Sequence, residues 1–167
     1  HYAGMARAFV GLGSNLGDRL AMLREAARQL GNAAGVRLVA CSPVYETAPV
    51  GPVRDQPPFL NAACEVRTTL APRALLERLL RVETALGRTR DLPQGPRVID
   101  LDLLLYDARI VREPGLQVPH PRLTERAFVL VPLGDLAPDL VHPMTGETLR
   151  RLAERWRDQT IRPFAPA

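Results

Sequence analysis

The sequence predicts an α+β fold: a ferredoxin-like βαββαβ core with a mainly antiparallel sheet, helices packed on it, and C-terminal additions. Three observations carry that expectation. Strand-like and helix-like apolar periodicities follow one another in the order β-α-β-β-α-β. A Pro-rich loop separates the second and third strands. The last core strand, within GPRVIDLDLLLYD (95–107), is apolar on one face and carries Asp100 and Asp102 on the other.

Each element has its own signal. ARAFVGL (6–12) reads as the first strand and runs into GLGSNLGD. A helix follows from about Asp18, with Leu20, Leu23, Ala27 and Leu30 on one stripe and Gly31 as its stop. VRLVACSPVY (36–45) is the second strand, and ETAPVGPVRDQPP (46–58), with four prolines and a glycine, is loop. FLNAACEVRTT (59–69) is the third strand. Pro72 opens a second helix that closes at Gly87, with Leu75, Leu76, Leu79, Val82 and Leu86 inward. A second loop (88–96) leads to the acidic strand. Its alternation puts Arg97, Ile99, Leu101, Leu103 and Leu105 on one face, and Val98, Asp100, Asp102, Leu104 and Tyr106 on the other. A hairpin arm is expected around 110–118. A helix over 124–136 is expected to start at a Thr124 cap and be limited by Pro132. A terminal helix over 148–158 has Leu149, Leu152 and Trp156 inward.

The bulk numbers set bounds. The 167 residues are 46% apolar and 24% charged, which fits one globular domain, expected over 5–167. His1–Gly4 precede Met5 and are expected to be a cloning remnant. No apolar run approaches the ~18 residues of a membrane span, so a cytoplasmic monomer without membrane contact is expected. Cys41 and Cys64 fit no metal or redox spacing and are expected as buried, reduced thiols. All 22 basic residues are arginine, the better fork for phosphate oxygens; the net charge of +4 does not choose between polyphosphate and nucleic acid.

The chemistry begins with the acidic strand. Asp100 and Asp102 would lie about 7 Å apart on one strand face, and like charges that close need a cation or a solvated surface. Magnesium suits them, since it takes one or two carboxylates plus substrate phosphate oxygens. GLGSNLGD fails both the P-loop and the dinucleotide-binding patterns and is read as a tight turn rather than a phosphate cradle. Glu83 leans toward the apolar side of its helix, where a ligand contact and an ordinary flank ion pair are equally open. Arg88, Arg90, Arg97 and Arg126, near a metal-binding strand, suit transfer between phosphates because charge develops on the oxygens. His120 stands in a rigid loop between two prolines. Thr47, Val50, Phe59 and Asn61 surround the Pro-rich loop; an aromatic and an amide there could read a flat heterocycle, although a plain strand start is the stronger reading of those residues alone.

Taken together, GLGSNLGDR, SPVYETAPVG, DQPPFLNAA, ETALGRTR, GPRVIDLDLLLYD and VPHPRLTERAFVL resemble the 6-hydroxymethyl-7,8-dihydropterin pyrophosphokinase family of folate biosynthesis, from Phe9 to about Leu140. The resemblance implies transfer of pyrophosphate from ATP to the hydroxymethyl group of the reduced pterin, with release of AMP. It implies that Asp100 and Asp102 hold two Mg²⁺ ions and that Arg88 and Arg97 act catalytically with them. It assigns Glu83, Arg90, Arg97, Leu103, His120 and Arg126 to ATP. Thr47, Val50, Phe59, Asn61 and Phe128 go to the pterin, with its ring between Phe59 and Phe128. Three departures stand out: Pro93–Gln94 where the family often has a basic residue and a tryptophan, Ala48 for a common proline, and Pro121 for a frequent aromatic. Two rivals are weaker. In a Gly-Ser plus DxD nucleotidyltransferase the turn closely precedes the acids, whereas Ser14 and Asp100 are 86 positions apart. A ferredoxin-like nucleic-acid-binding module would need exposed sheet aromatics that are lacking, and the acids would repel RNA.

Overall fold

The structure, a computed structural model, describes residues 2–49, 53, 55–89, 95–156 and 161–167. Its central sheet is built from β1 (Ala6–Ser14), β2 (Val36–Cys41), β3 (Val44–Thr47), β4 (Phe59–Thr68), β5 (Asp100–Tyr106) and β8 (Ile161–Ala165). The order is β5-β1-β4-β3-β8, with β2 also paired to β4, and every pairing is antiparallel. A separate hairpin joins β6 (Val111–Glu113) to β7 (Leu116–Val118). Antiparallel strands joined through α1 (Arg19–Gly31) and α2 (Pro72–Ala85) give the expected ferredoxin-like core.

The helices form where the signals placed them. Asp18 caps α1 by accepting from Ala21 N, and Leu23, Ala26 and Leu30 are its buried stripe. Pro72 opens α2, which buries Leu75, Leu79 and Val82. These side chains meet Ala8, Val10 and Leu12 of β1 and Ile99, Leu101 and Leu103 of the acidic segment in a first core.

A second core lies on the opposite face of the sheet. Phe9, Ala63, Leu104 and Leu105 pack there against α3 (Ala127–Leu136) and α4 (Leu149–Glu154). Trp156 joins this core and donates from its indole nitrogen to Thr124 O. Thr124 is not the cap of α3; it lies in a 3-10 turn (Leu123–Glu125), and the helix begins after Arg126. Nor does Pro132 end it. Proline removes one helical hydrogen bond, and burial of Val129, Leu130 and Leu133 offsets that loss.

Other expectations need correcting. The second strand is two strands, because Pro43 lacks the N–H that the ladder requires. Ser42 bridges the break: its N donates to Ala63 O, and its hydroxyl accepts from Ala63 N at 2.9 Å. Glu46 and Thr47 belong to β3 rather than to loop. A register shift between Phe9 and Val10 bulges β5, so Leu105 turns to the second core and Tyr106 to the first, the reverse of simple alternation. Cys41 and Cys64 are not separate thiols; they are direct partners across β2–β4, with Cα atoms 4.2 Å apart, and are joined as a disulfide. The terminal helix stops at Glu154, and β8, which no sequence signal announced, covers the β3 edge.

Candidate active site

The bulge and the two cores leave one cavity at the end of the sheet where β1, β4 and β5 meet the N-terminus of α3. Thr47, Phe59, Asn61, Arg97, Asp100, Asp102, Arg126 and Phe128 all line it, together with Gly11, Gly13, Ala48, Ala62, Ala63 and Leu104. Eight of the residues singled out from the sequence therefore share one concave surface.

Strand geometry places the acids. Ile99, Leu101 and Leu103 anchor one face in the first core, so Asp100 and Asp102 must face the cavity. Asp100 lies 3.6 Å from Arg88 Nη1 and 3.6 Å from Arg97 Nε. Burial pushes the Asp102 carboxyl up to about 7; the charges of Asp100 and Glu83 push the same way, against Arg126 and Arg97. Glu83 is 2% exposed and accepts from Leu101 N at 2.7 Å, so the α2 carboxylate pins the start of β5 from below. Arg88 holds the same segment by donating to Ile99 O.

The arginines cover the aromatic rings. Arg97 lies 4.9 Å from the Phe59 ring centre and Arg126 5.5 Å from that of Phe128, cation–π distances in both cases. Among the described residues, none accepts a hydrogen bond from the buried Nε atoms of Arg88, Arg97 and Arg126. Buried donors of that kind suit a ligand rich in anionic oxygens. Burial first, then Arg122, lowers the Arg126 pKa, with Asp102 and Asp100 opposing.

Next to the rings, Thr47 Oγ1 donates to Asn61 Oδ1 at 2.7 Å, a buried bond that fixes the amide. Gly11 and Gly13 leave room for a flat group. A Cβ on Gly13 would come within 2.9 Å of Asn61 Nδ2, and one on Gly11 within 3.4 Å of Leu104. GLG is thus strand rather than turn, with its two glycines on the cavity face; period-two spacing was the available signal.

Four assigned residues among those described do not line this cavity. Glu83 and Arg88 lie behind β5, bonded to Leu101 N and Ile99 O. Leu103 is turned into the first core, and His120 lines a neighbouring groove with Val111, Gln117 and His142. His120 N donates to Leu104 O, and its Nδ1 accepts from Arg122 N. Burial, then Arg126, lowers its pKa, with Asp100 opposing. Val50, Arg90 and the Pro93–Gln94 departure lie outside the described residues. Asn15 and Gln56, which sequence reasoning passed over, tie the cavity's walls together, and Arg19 braces β3 to the segment before β4.

Comparison with known proteins identifies the family. A family model described as 7,8-dihydro-6-hydroxymethylpterin-pyrophosphokinase matches residues 9–138. A 2-amino-4-hydroxy-6-hydroxymethyldihydropteridine pyrophosphokinase of Methylorubrum extorquens is 51% identical over 146 residues, covering 87% of this chain and 90% of the relative. One of the same name from Bacillus subtilis is 42% identical, covering 92% of each chain. The solved Plasmodium falciparum HPPK-DHPS wild type shares the fold with a TM-score of 0.73 at 15% identity, covering 91% of this chain and 45% of that one. With a cavity that joins paired carboxylates, arginines and two aromatic rings, this chain belongs to the 7,8-dihydro-6-hydroxymethylpterin-pyrophosphokinase family.

Proposed function

We infer that this chain transfers the β,γ-diphosphate of ATP to the hydroxymethyl oxygen of 7,8-dihydro-6-hydroxymethylpterin, the folate-synthesis activity for which its relatives are named. The new bond joins that oxygen to the β-phosphorus, the bond between the β-phosphorus and the α–β bridging oxygen breaks, and AMP leaves. The acceptor proton goes to solvent or to a carboxylate. Membership of the family sets aside the nucleotidyltransferase and nucleic-acid readings.

The observation that carries this reading is that Asp100 and Asp102 line one cavity together with Phe59 and Phe128. A flat ring stacked between the two phenylalanines, with Asn61 at its edge, would direct a short side arm toward β5. The donor set also fits the dication that the family implies. Two carboxylates on one strand face, with Asp102 pushed up by burial and then by the Asp100 charge, suit one or two hard cations; the two-ion count belongs to this proposal. Bound Mg²⁺ would supply charge neutralisation along the polyphosphate. Arg97 and Arg88 border the same carboxylate and balance charge on the moving phosphates. Glu83 sets the β5 register, while Arg126 guards the second ring. The assignments of Leu103, His120, Val50 and Arg90 to substrate contacts are part of the same reading.

The test is direct. Purified protein mixed with ATP, Mg²⁺ and the pterin alcohol should form AMP, followed by chromatography. Asp100→Ala and Asp102→Ala should each abolish it with the fold retained; undiminished turnover would remove the metal assignment. A monomeric state and a cytoplasmic setting complete the proposal, and light scattering during gel filtration tests the former.

A further inference from the structure

Asn15 follows directly on β1 and is 2% exposed. Its side-chain amide bonds to two segments far apart in sequence, using both donors and one acceptor position. Nδ2 donates to Gln56 Oε1 at 2.8 Å and to Pro57 O at 3.0 Å. Oδ1 accepts from Arg97 N at 2.8 Å, and Asn15 N donates to Arg97 O at 3.1 Å. The amide can sit only one way round, because a backbone carbonyl only accepts and a backbone N–H only donates. Aspartate would lose both donors and set a charge against the Pro57 carbonyl. Glutamine, one methylene longer, could not reach both sides from the same backbone position.

The two segments are the two halves of the active site. Gln56 and Pro57 lead straight into Phe59, one wall of the ring site; Arg97 leads into Asp100 and covers the Phe59 ring. Arg19, one turn later in the same motif, shows the contrast. Its Nη1 donates to Glu46 Oε2 at 2.8 Å and to Pro58 O at 3.0 Å, both on the ring-site side. Asn15 alone of the two reaches across.

We propose that Asn15 is a positioning residue that locks the segment before β4 to the segment before β5, so that occupancy of the pterin half-site sets the geometry of the phosphate half-site and the reverse. It touches no reacting atom. It acts by holding the acceptor oxygen and the polyphosphate in one frame, where a displacement of about 1 Å can cost roughly 100-fold in rate. Reciprocity follows: whatever factor the nucleotide adds to pterin affinity, the pterin must add to nucleotide affinity.

Hydrogen exchange on the ligand-free protein reads the lock without any substrate. Gln56→Ala cuts one arm on the ring-site side, at a half-exposed residue. It should raise exchange of the Arg97–Ile99 amides on the far side, whereas Arg19→Ala should leave those amides unchanged. Asn15→Ala should raise exchange on both sides and make the effect of Gln56→Ala on residues 97–99 disappear. The kinetic arm rests on the pyrophosphoryl-transfer reading. Asn15→Ala should lower kcat by about 100-fold and bring the mutual enhancement of binding by the pterin and a non-hydrolysable ATP analogue toward 1, with each affinity measured alone changed little.

An Arg97–Ile99 exchange rate indifferent to Gln56→Ala would overturn the proposal, as would loss of affinity for one substrate with the mutual enhancement intact. Absence of turnover in the unmutated protein would instead count against the pyrophosphoryl-transfer reading and leave the exchange result standing. If Asn15→Ala does not fold, the Gln56→Ala and Arg19→Ala contrast decides alone.

Discussion

Replacing Asp102 with asparagine should make the ligand-free protein more stable while removing its activity. In the fold the Asp102 carboxyl is pushed up to about 7 from an ordinary 3.8, chiefly by burial and by the Asp100 charge. Between those values the folded chain holds a proton that the unfolded chain has lost. This group's contribution to stability is therefore complete below about pH 4 and lost as pH rises to about 7. The difference between those two values corresponds to about 4 kcal/mol as a ceiling. The carboxylate opens into a wet cavity beside Arg97 and Arg126, and screening there reduces the usable figure to about 1–2 kcal/mol. Asparagine, near in size and uncharged, avoids that cost. At about 2–4 °C per kcal/mol, the expected gain in melting temperature is roughly 2–8 °C above pH 7, shrinking toward zero near pH 4. Scanning calorimetry in EDTA at pH 4, 6 and 8 would read it. A variant that melts at or below the parent at pH 8, or a difference that ignores pH, would refute the placement of a buried, only partly balanced charge on β5.

Three further outcomes are expected. Arg97→Ala should reduce kcat by about 10²–10³-fold with a much smaller change in KM for ATP, because the group acts on charge developed in transit; a loss confined to KM would contradict that role. Gly13→Ala, whose Cβ would come within 2.9 Å of Asn61 Nδ2, should raise KM for the pterin by about tenfold or more while circular dichroism stays unchanged. Leu79→Ala, at a fully buried site under β1 and β5, should cost about 2–5 kcal/mol in urea denaturation without altering ligand contacts directly.

Much of this was legible because local rules and tertiary demands agree. The start of α1 near Asp18, the Pro72 start of α2 and the inward placement of Leu23, Leu30, Leu75, Leu79 and Val82 are set by spacing alone, and the structure keeps them. Asp100 and Asp102 were visible as an anomaly, since two carboxylates in an apolar strand conflict with burial unless something pairs with them. What escaped depended on partners distant in sequence. The β5 bulge exists because Val10 pairs with Leu103 and Phe9 with Leu105, a count that no single segment contains. The disulfide likewise needs the β2–β4 register, and α3 chose the second face through contacts with Ala63 and Leu105. Asn15 was invisible for a related reason: an asparagine in a glycine-rich stretch resembles any turn residue until Gln56, Pro57 and Arg97 stand around it.

The pairing of β8 with β3 has a practical bearing on how this protein is handled. Residues 161–165 cap Val44–Thr47, the strand that ends in the Thr47 contact with Asn61. Shortening the chain at residue 160 would expose a row of unsatisfied amides and carbonyls beside the ring site, a template for sticking to a second molecule. Such a truncation invites self-association, and a purification handle is safer at the other terminus.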